Sequence, residues 1–199
     1  MKSIPTLKSL LFELQKLPGI GPRSAQRLAQ HLLRTPENDI KTLSKSLIDL
    51  KNNIKKCVEC FNFTEGDPVC SICNDPHRDS KSLCVVEQAF DVFRIENCGS
   101  FKGKYHVLHG SISPLNHVHP KNLTLLELAN RIKKGVVEEL ILAIDSDLEG
   151  DTTALYIAKM VDGSSLKISR LASGIPFGSD LEYVDDKTLS QAIENRSYF

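Results

Sequence analysis

Nothing in this 199-residue chain approaches the run of about eighteen apolar residues that a membrane-spanning helix needs. The first apolar stretch is interrupted by Glu13, Gln15 and Lys16, so it reads neither as an anchor nor as a signal peptide. Internal repeats and low-complexity tracts are missing too, which excludes a solenoid or a mainly disordered chain. No glycine-rich loop of the Walker A kind occurs, which excludes a P-loop nucleotide hydrolase. Net charge is absent as well, 25 basic side chains balancing 25 acidic ones, which taken alone argues against a simple DNA-binding protein. These absences point to the cytosol. Thiols stay reduced there, so the six cysteines read as metal ligands or buried thiols and not as a disulfide framework. An apolar fraction of 41% is ordinary for a globular protein and suffices for one good-sized core or two small ones.

The zero net charge conceals a division. Up to Lys56 eleven basic residues face only Glu13, Glu37, Asp39 and Asp49, an excess of +7 that the remainder cancels. Such asymmetry suits a basic nucleic-acid segment joined to an acidic body that binds metal or a basic protein, although a solvated helical surface would look the same. The basic quarter is helical by periodicity. Leu7, Leu10, Leu11, Leu14 and Leu17 mark a first helix that must stop at Pro18-Gly19-Ile20-Gly21-Pro22. A second helix is expected over Arg23–Arg34, and Ile40, Leu43, Leu47, Leu50 and Ile54 predict a third running toward Lys56. Residues 57–80 have the composition of a loop-rich knuckle. Beyond it, Leu83–Val86, Tyr105–Leu108, Leu140–Ile144 and Leu166–Ser169 read as buried strands, with helices over Leu123–Lys134 and Thr152–Val161. Alternating strands and helices predict a largely parallel sheet covered on both faces, and hence an α/β chain of several parts.

Three constellations carry chemistry. Leu17 to Ala25 has the order of a helix-hairpin-helix turn, in which Gly19 and Gly21 permit a tight backbone hairpin and Ile20 can fill the space between the helices. Amides at the start of the second helix then form a phosphate site that reads no base, and Arg23 and Arg27, four apart, share one face beside it. A plain glycine-turn αα-hairpin is the alternative. Cys57-x2-Cys60 and Cys70-x2-Cys73 supply two chelating pairs whose four thiolates favour a closed, structural zinc site, with a redox pair or an iron–sulfur centre as the other readings. Cys84, inside an apolar strand, and the isolated Cys98 read as inert thiols. The third set is acidic: Glu87 follows one strand, and Asp145, Asp147, Glu149 and Asp151 follow another. Carboxyl ends of parallel strands converge on one edge, so these side chains can meet and hold magnesium as in a Toprim domain. The alternative is a solvated acidic loop in which Asp151 and Thr152 cap the next helix.

In this order the hairpin, the four-cysteine knuckle and the Toprim-like sheet resemble the RecR family of recombination mediators over nearly the whole chain. The run from Arg170 to Asp185 resembles the family's Walker B-like segment, which cannot make an ATPase without a Walker A loop. The resemblance implies a helix-hairpin-helix DNA-binding region over 1–56, a four-cysteine zinc finger over 57–80, a Toprim domain over 81–171 and a C-terminal Walker B-like segment with a helix over 172–199. It also implies a tetrameric ring that encircles DNA in the cytoplasm, at the nucleoid, and is not an enzyme. Such a ring acts with RecO, RecF or both to help load RecA onto single strands covered by single-strand-binding protein. Carried onto this sequence, Gly19, Gly21, Arg23 and Arg27 form the DNA contact, with Arg23 where the family usually has lysine. Glu149 and its acidic neighbours resemble the surface implicated in binding RecO. Where many members have an uncharged Asn-Pro-Thr run, this chain has Asp145-Ser146-Asp147, the acidic pair of catalytic Toprim domains. That departure keeps a metal-dependent Toprim nuclease or primase-like phosphotransferase as the alternative function. Catalysis would also need a nucleophile or a positioned water, and Tyr105, Tyr156, Tyr183 and Tyr198 have no context that marks one. A zinc-dependent adaptor without DNA contact would leave the hairpin and its basic flank unexplained.

Overall fold

Prolines begin the helices of the basic quarter. In a computed structural model that describes residues 4–196, helix α1 is Pro5–Gln15, α2 is Pro22–Leu32 and α3 is Glu37–Asn53. Pro5 and Pro22 occupy first-turn positions, where a missing N–H breaks no helical bond. Pro36 caps α3, and Glu37 and Asp39 in its first turn oppose the helix dipole. Helices α1 and α2 pack together, and the residues that α2 buries are Ala25 and Ala29, whose small side chains allow close approach. The third helix ends before Lys56, contrary to the periodicity: Ile54–Lys56 is strand β1, paired with β2 (Phe63–Glu65). The chain must extend here because Cys57 enters the knuckle immediately afterwards, in which the one short helix is α4 (Ser71–Asn74).

The described residues divide into two compact units, one up to Ile54 and one from Lys55 onward. The second is built on four parallel strands in the order β4-β3-β5-β6, namely β3 (Asp79–Val86), β4 (Gly103–Val107), β5 (Glu139–Ala143) and β6 (Lys167–Arg170). Strand alternation assigns the core residues to faces. Leu83, Val85, Leu140 and Leu142 join Leu128 of α6 (Leu125–Lys133) and Ile157 of α7 (Leu148–Met160) in one cluster. Cys84, Val86, Tyr105 and Val107 face the other way, against Val92 of α5 (Ala89–Cys98) and against Phe61, Phe63 and Ile72 of the knuckle. The sheet is therefore covered on both faces as expected, but one cover is partly the cysteine knuckle, and the edge strand β6, expected to be buried, is exposed at all four positions. Burial lifts the Cys84 thiol to about 12, which keeps it an uncharged core group.

Two helices differ from expectation. Helix α5 escapes the apolar-period reading, although Gln88 and Asp91 form a reciprocal capping box and Gly99 ends it in the left-handed region. Helix α7 starts at Leu148, one turn earlier than expected. Its cap is Asp147, whose side chain accepts from Gly150 N at 2.8 Å, so Asp151 and Thr152 lie inside the helix and do not cap it. After β6 comes a mostly exposed segment with a single turn at Leu181–Tyr183 and helix α8 (Asp186–Glu194), capped by Asp185 on Thr188 N. Among the described residues no helix is long and apolar enough to cross a membrane.

Candidate nucleic-acid interface, zinc centre and acidic edge

The hairpin is built by hydrogen bonds that close on themselves. Leu17 N donates to Leu14 O at 3.2 Å and Ile20 N to Leu17 O at 3.1 Å, while Gly19 takes φ +79°, a conformation that side chains disfavour. Gly21 caps α2 in an extended conformation without a side-chain hydrogen bond, and the first helical bond runs from Ala25 N to Gly21 O at 2.9 Å. Pro22 has no N–H, so the amides of Arg23 and Ser24 are left for an external acceptor at the positive end of the helix dipole. Arg23 and Arg27 are exposed and enter no ion pair among the described residues. Two outward amides flanked by two unpaired guanidiniums suit a phosphate backbone.

The four cysteines of the knuckle converge. Cys57, Cys60, Cys70 and Cys73 are buried, and their sulfur atoms all lie within 4.8 Å of one another. A tetrahedral zinc with bonds of about 2.3 Å separates its sulfurs by roughly 3.8 Å, and the Cys60 and Cys70 sulfurs stand 3.5 Å apart. Phe61, at φ +63°, turns the chain back after the first pair, and Cys70 N donates to Cys57 Sγ at 3.3 Å. Crowded thiols cannot all ionise without a cation: the hydrogen bond they share drives Cys70 down and Cys60 up. A dication removes that conflict, so the donor set fits structural zinc and leaves no coordination position open for water. The knuckle is stitched to β4, since Val107 N donates to Cys60 O at 2.8 Å and Lys104 Nζ to Cys73 O at 3.0 Å. Cys98 stands apart and exposed.

At the carboxyl edge of the sheet, register explains what meets. Val86 lies opposite Ala143, which brings Glu87 beside the residues after β5, and Glu87 Oε1 accepts from Asp145 N at 3.2 Å. Burial, and the nearby charges of Asp145, Asp147 and Asp91, push the Glu87 carboxyl above the usual glutamate range, against the pull of the Asp145 amide. The other carboxylates are largely engaged in the fold. Asp147 caps α7, Glu149 accepts from Ser113 Oγ at 2.5 Å and Asn116 Nδ2 at 3.2 Å, and Asp151 pairs with Arg170 Nη1 at 2.5 Å. Arg170 also donates from Nη2 to Asp145 O at 2.7 Å, and a Cβ on Gly150 would lie 2.0 Å from that same carbonyl oxygen. The Asp145 carboxylate alone of the five makes no hydrogen bond or ion pair among the described residues. Only the cysteines, among those residues, bring three or more ligand atoms together closely enough to hold an ion. Arg170, Ser113 and Asn116 were not foreseen as site residues. Their partners stand 19 to 36 positions away, a separation that no local pattern encodes.

Comparison with known proteins reproduces this succession. Residues 7–51 match the family described as "RecR, helix-hairpin-helix", 54–75 match the RecR zinc finger domain of four cysteines, 81–172 match "Toprim domain" and 174–197 match "RecR, C-terminal". The chain is 48% identical to a protein named Recombination protein RecR from Bdellovibrio bacteriovorus, over 98% of each chain. It is 48% identical to the protein of that name from Geotalea uraniireducens, over 96% of each, and 45% identical to the one from Dehalococcoides mccartyi, over 97% of this chain and 94% of the relative.

Proposed function

The chain belongs to the RecR family of recombination proteins, and from that membership we propose a DNA-binding mediator of recombinational repair that works as a cytoplasmic, ring-forming clamp and not as an enzyme. In this reading several subunits, four in the ring implied by the resemblance, present their hairpins to one DNA. RecO-type and RecF-type partners then use the assembly to promote RecA loading onto strands covered by single-strand-binding protein. The observation that carries it is the hairpin itself, whose unsatisfied amides and flanking Arg23 and Arg27 offer phosphate contacts without base readout. Several such sites on one ring would gain avidity from weak individual contacts.

The non-catalytic reading draws support from how the carboxylates are used. Two-metal chemistry needs carboxylates free to ligate and a nucleophile or water positioned between them. Here Asp147, Glu149 and Asp151 are committed to a helix cap, a loop and an arginine. Tyr105 is buried with its hydroxyl on Glu96 Oε1 at 2.6 Å, which drives its proton affinity up and away from nucleophilic use. Tyr198 lies outside the described residues. The Asp-x-Asp pair favours the Toprim nuclease or phosphotransferase as second reading, with Glu87 and Asp145 as the groups that could receive magnesium.

One set of measurements tests both. Mass in solution, with and without duplex DNA, should reveal a closed oligomer that retains DNA. Arg23→Ala and Arg27→Ala should weaken binding to all sequences alike, each lowering the slope of log affinity against log salt by about 0.9. Unchanged affinity and slope in the double variant would remove the hairpin from the DNA interface. Labelled duplex, nicked and single-stranded DNA incubated with magnesium or manganese should stay intact. Cleavage or joining that disappears in Asp145→Ala/Asp147→Ala would establish the enzymatic reading instead.

A further inference from the structure

Arg131 refuses the partner that its own helix offers. Glu127 stands four positions earlier on α6, the favourable order for an ion pair, yet no pair forms between them. The guanidinium turns off the helix instead, and Nη1 donates to Tyr105 O of β4 at 2.6 Å and to Glu59 O of the knuckle at 3.5 Å. Both acceptors are backbone carbonyls, so the charge is fixed in place without being neutralised. Lys104 is held in the same way, on Cys73 O at 3.0 Å. These two cations and Lys134 line a cleft of about 350 Å³ between α6, the knuckle and the starts of β3 and β4. Glu59 and Glu127 line it as well, but both are exposed, whereas Arg131 and Lys104 are half-buried. Water screens exposed charge more than buried charge, so the interior of the cleft is positive.

We propose that this cleft binds a nucleoside phosphate monoester, with the phosphate on Arg131, Lys104 and Lys134 and the base against Phe61, Val58 and Val137. Its volume lies within the range of small-ligand sites, and a lining that mixes cations with apolar side chains matches a ligand of that divided character. Charge selects the monoester. A carboxylate or an internal phosphodiester brings one negative charge, whereas a terminal phosphate brings about −1.5 to −2 against three unpaired cations. Nε and Nη2 of Arg131 donate to nothing among the described residues and remain for phosphate oxygens. Because carbonyls already hold Arg131 and Lys104, little side-chain freedom is lost on binding. Fastening the knuckle to the sheet would account for those two ties, but Lys134 fastens nothing: its side chain makes no hydrogen bond or ion pair among the described residues. The same chemistry is presented by a free mononucleotide and by the phosphorylated end of a DNA strand, and neither involves the hairpin.

Full-length, zinc-loaded protein carrying Arg23→Ala/Arg27→Ala, to remove the hairpin's contribution, is titrated with dAMP, with deoxyadenosine, and with one short single strand bearing either a terminal phosphate or a terminal hydroxyl. Saturable binding of dAMP without binding of deoxyadenosine is expected. Lys134→Glu should weaken it by about tenfold at unchanged Tm, because the side chain removed is exposed and ties nothing. Arg131→Lys keeps the charge but loses the planar fork, and should weaken it likewise. A preference of the same size for the phosphorylated strand identifies a strand end as the occupant; binding of dAMP alone identifies a free nucleotide. Failure of dAMP and of the phosphorylated strand to bind overturns the proposal, as does deoxyadenosine binding as tightly as dAMP. Affinity unchanged in either variant would place the phosphate elsewhere and overturn it too. The hairpin reading is untouched by these results, because it is judged on the DNA affinity lost when Arg23 and Arg27 are replaced in the parent protein.

Discussion

Replacing Gly150 by alanine pits two physical effects of opposite sign against each other. Gly150 lies in the first turn of α7, so helix propensity alone predicts stabilisation of up to about 1 kcal/mol. The added Cβ, however, would sit 2.0 Å from Asp145 O, 3.0 Å from Asp145 C and 3.1 Å from Ile144 Cγ2. Backbone cannot yield as a flexible side chain can, so overpacking of about 1–3 kcal/mol follows. Moving the Asp145 carbonyl also breaks its 2.7 Å bond from Arg170, a charged donor whose loss adds about 1.5 kcal/mol. The net expectation is destabilisation by about 2–3 kcal/mol, or a Tm lower by roughly 5–10 °C for a domain of this size. Thermal and denaturant unfolding of the zinc-loaded protein measure it. A Gly150→Ala variant as stable as the parent, or more so, would refute the close approach and return this turn to ordinary helix energetics.

Two further outcomes follow from other parts of the second unit. Elemental analysis should find one zinc per chain, and chelation or Cys60→Ser should lower Tm and expose β4 to hydrogen exchange, because the knuckle covers that face of the sheet; full stability after verified zinc removal would contradict this. Arg78 grips Glu96 from both terminal guanidinium nitrogens, with a contribution from the Tyr105 hydroxyl, and holds its carboxyl below the usual range. Protonating a depressed carboxyl costs the folded state, so this stabilisation is complete above the ordinary glutamate value of about 4.3 and is lost as pH falls through the lowered one. Glu96→Gln should accordingly flatten the acid limb of the stability profile, and an unchanged limb would show that the pair contributes nothing to it.

What could be read in sequence is what is periodic or closely spaced. The leucines of α1, the Pro-Gly-Ile-Gly-Pro hairpin and the two Cys-x2-Cys pairs carry their geometry within a few residues, and the structure builds each of them. The buried strands are equally legible because β3 and β5 are apolar on both faces. Helix α5 is hidden for a related reason: its amphipathic stripe is interrupted by the exposed Phe90 and Phe93, and only its caps advertise it. The end of α3 is misplaced by periodicity because Ile54 continues the helical period while the entry of Cys57 into the knuckle demands extension.

The acidic edge shows why composition alone overstates a site. Five carboxylates within two short stretches look interchangeable in sequence, yet each stands in a different environment, set for Glu87, Glu149 and Asp151 by residues far along the chain. Asp147 belongs to its helix, Glu149 to a loop 36 residues earlier through Ser113, and Asp151 to an arginine 19 residues later. Glu87 is buried against a backbone amide, which leaves Asp145 as the unengaged charge. An edge built to ligate metal would instead aim its oxygens at a common point, since the ion's attraction must outweigh the mutual repulsion of the carboxylates. Here that repulsion is relieved locally, by Arg170 on one side and by hydroxyl and amide donors on the other. Local relief without convergence is what divides five carboxylates that are neighbours in sequence into separate structural roles, a helix cap, a loop tie and an arginine pair among them.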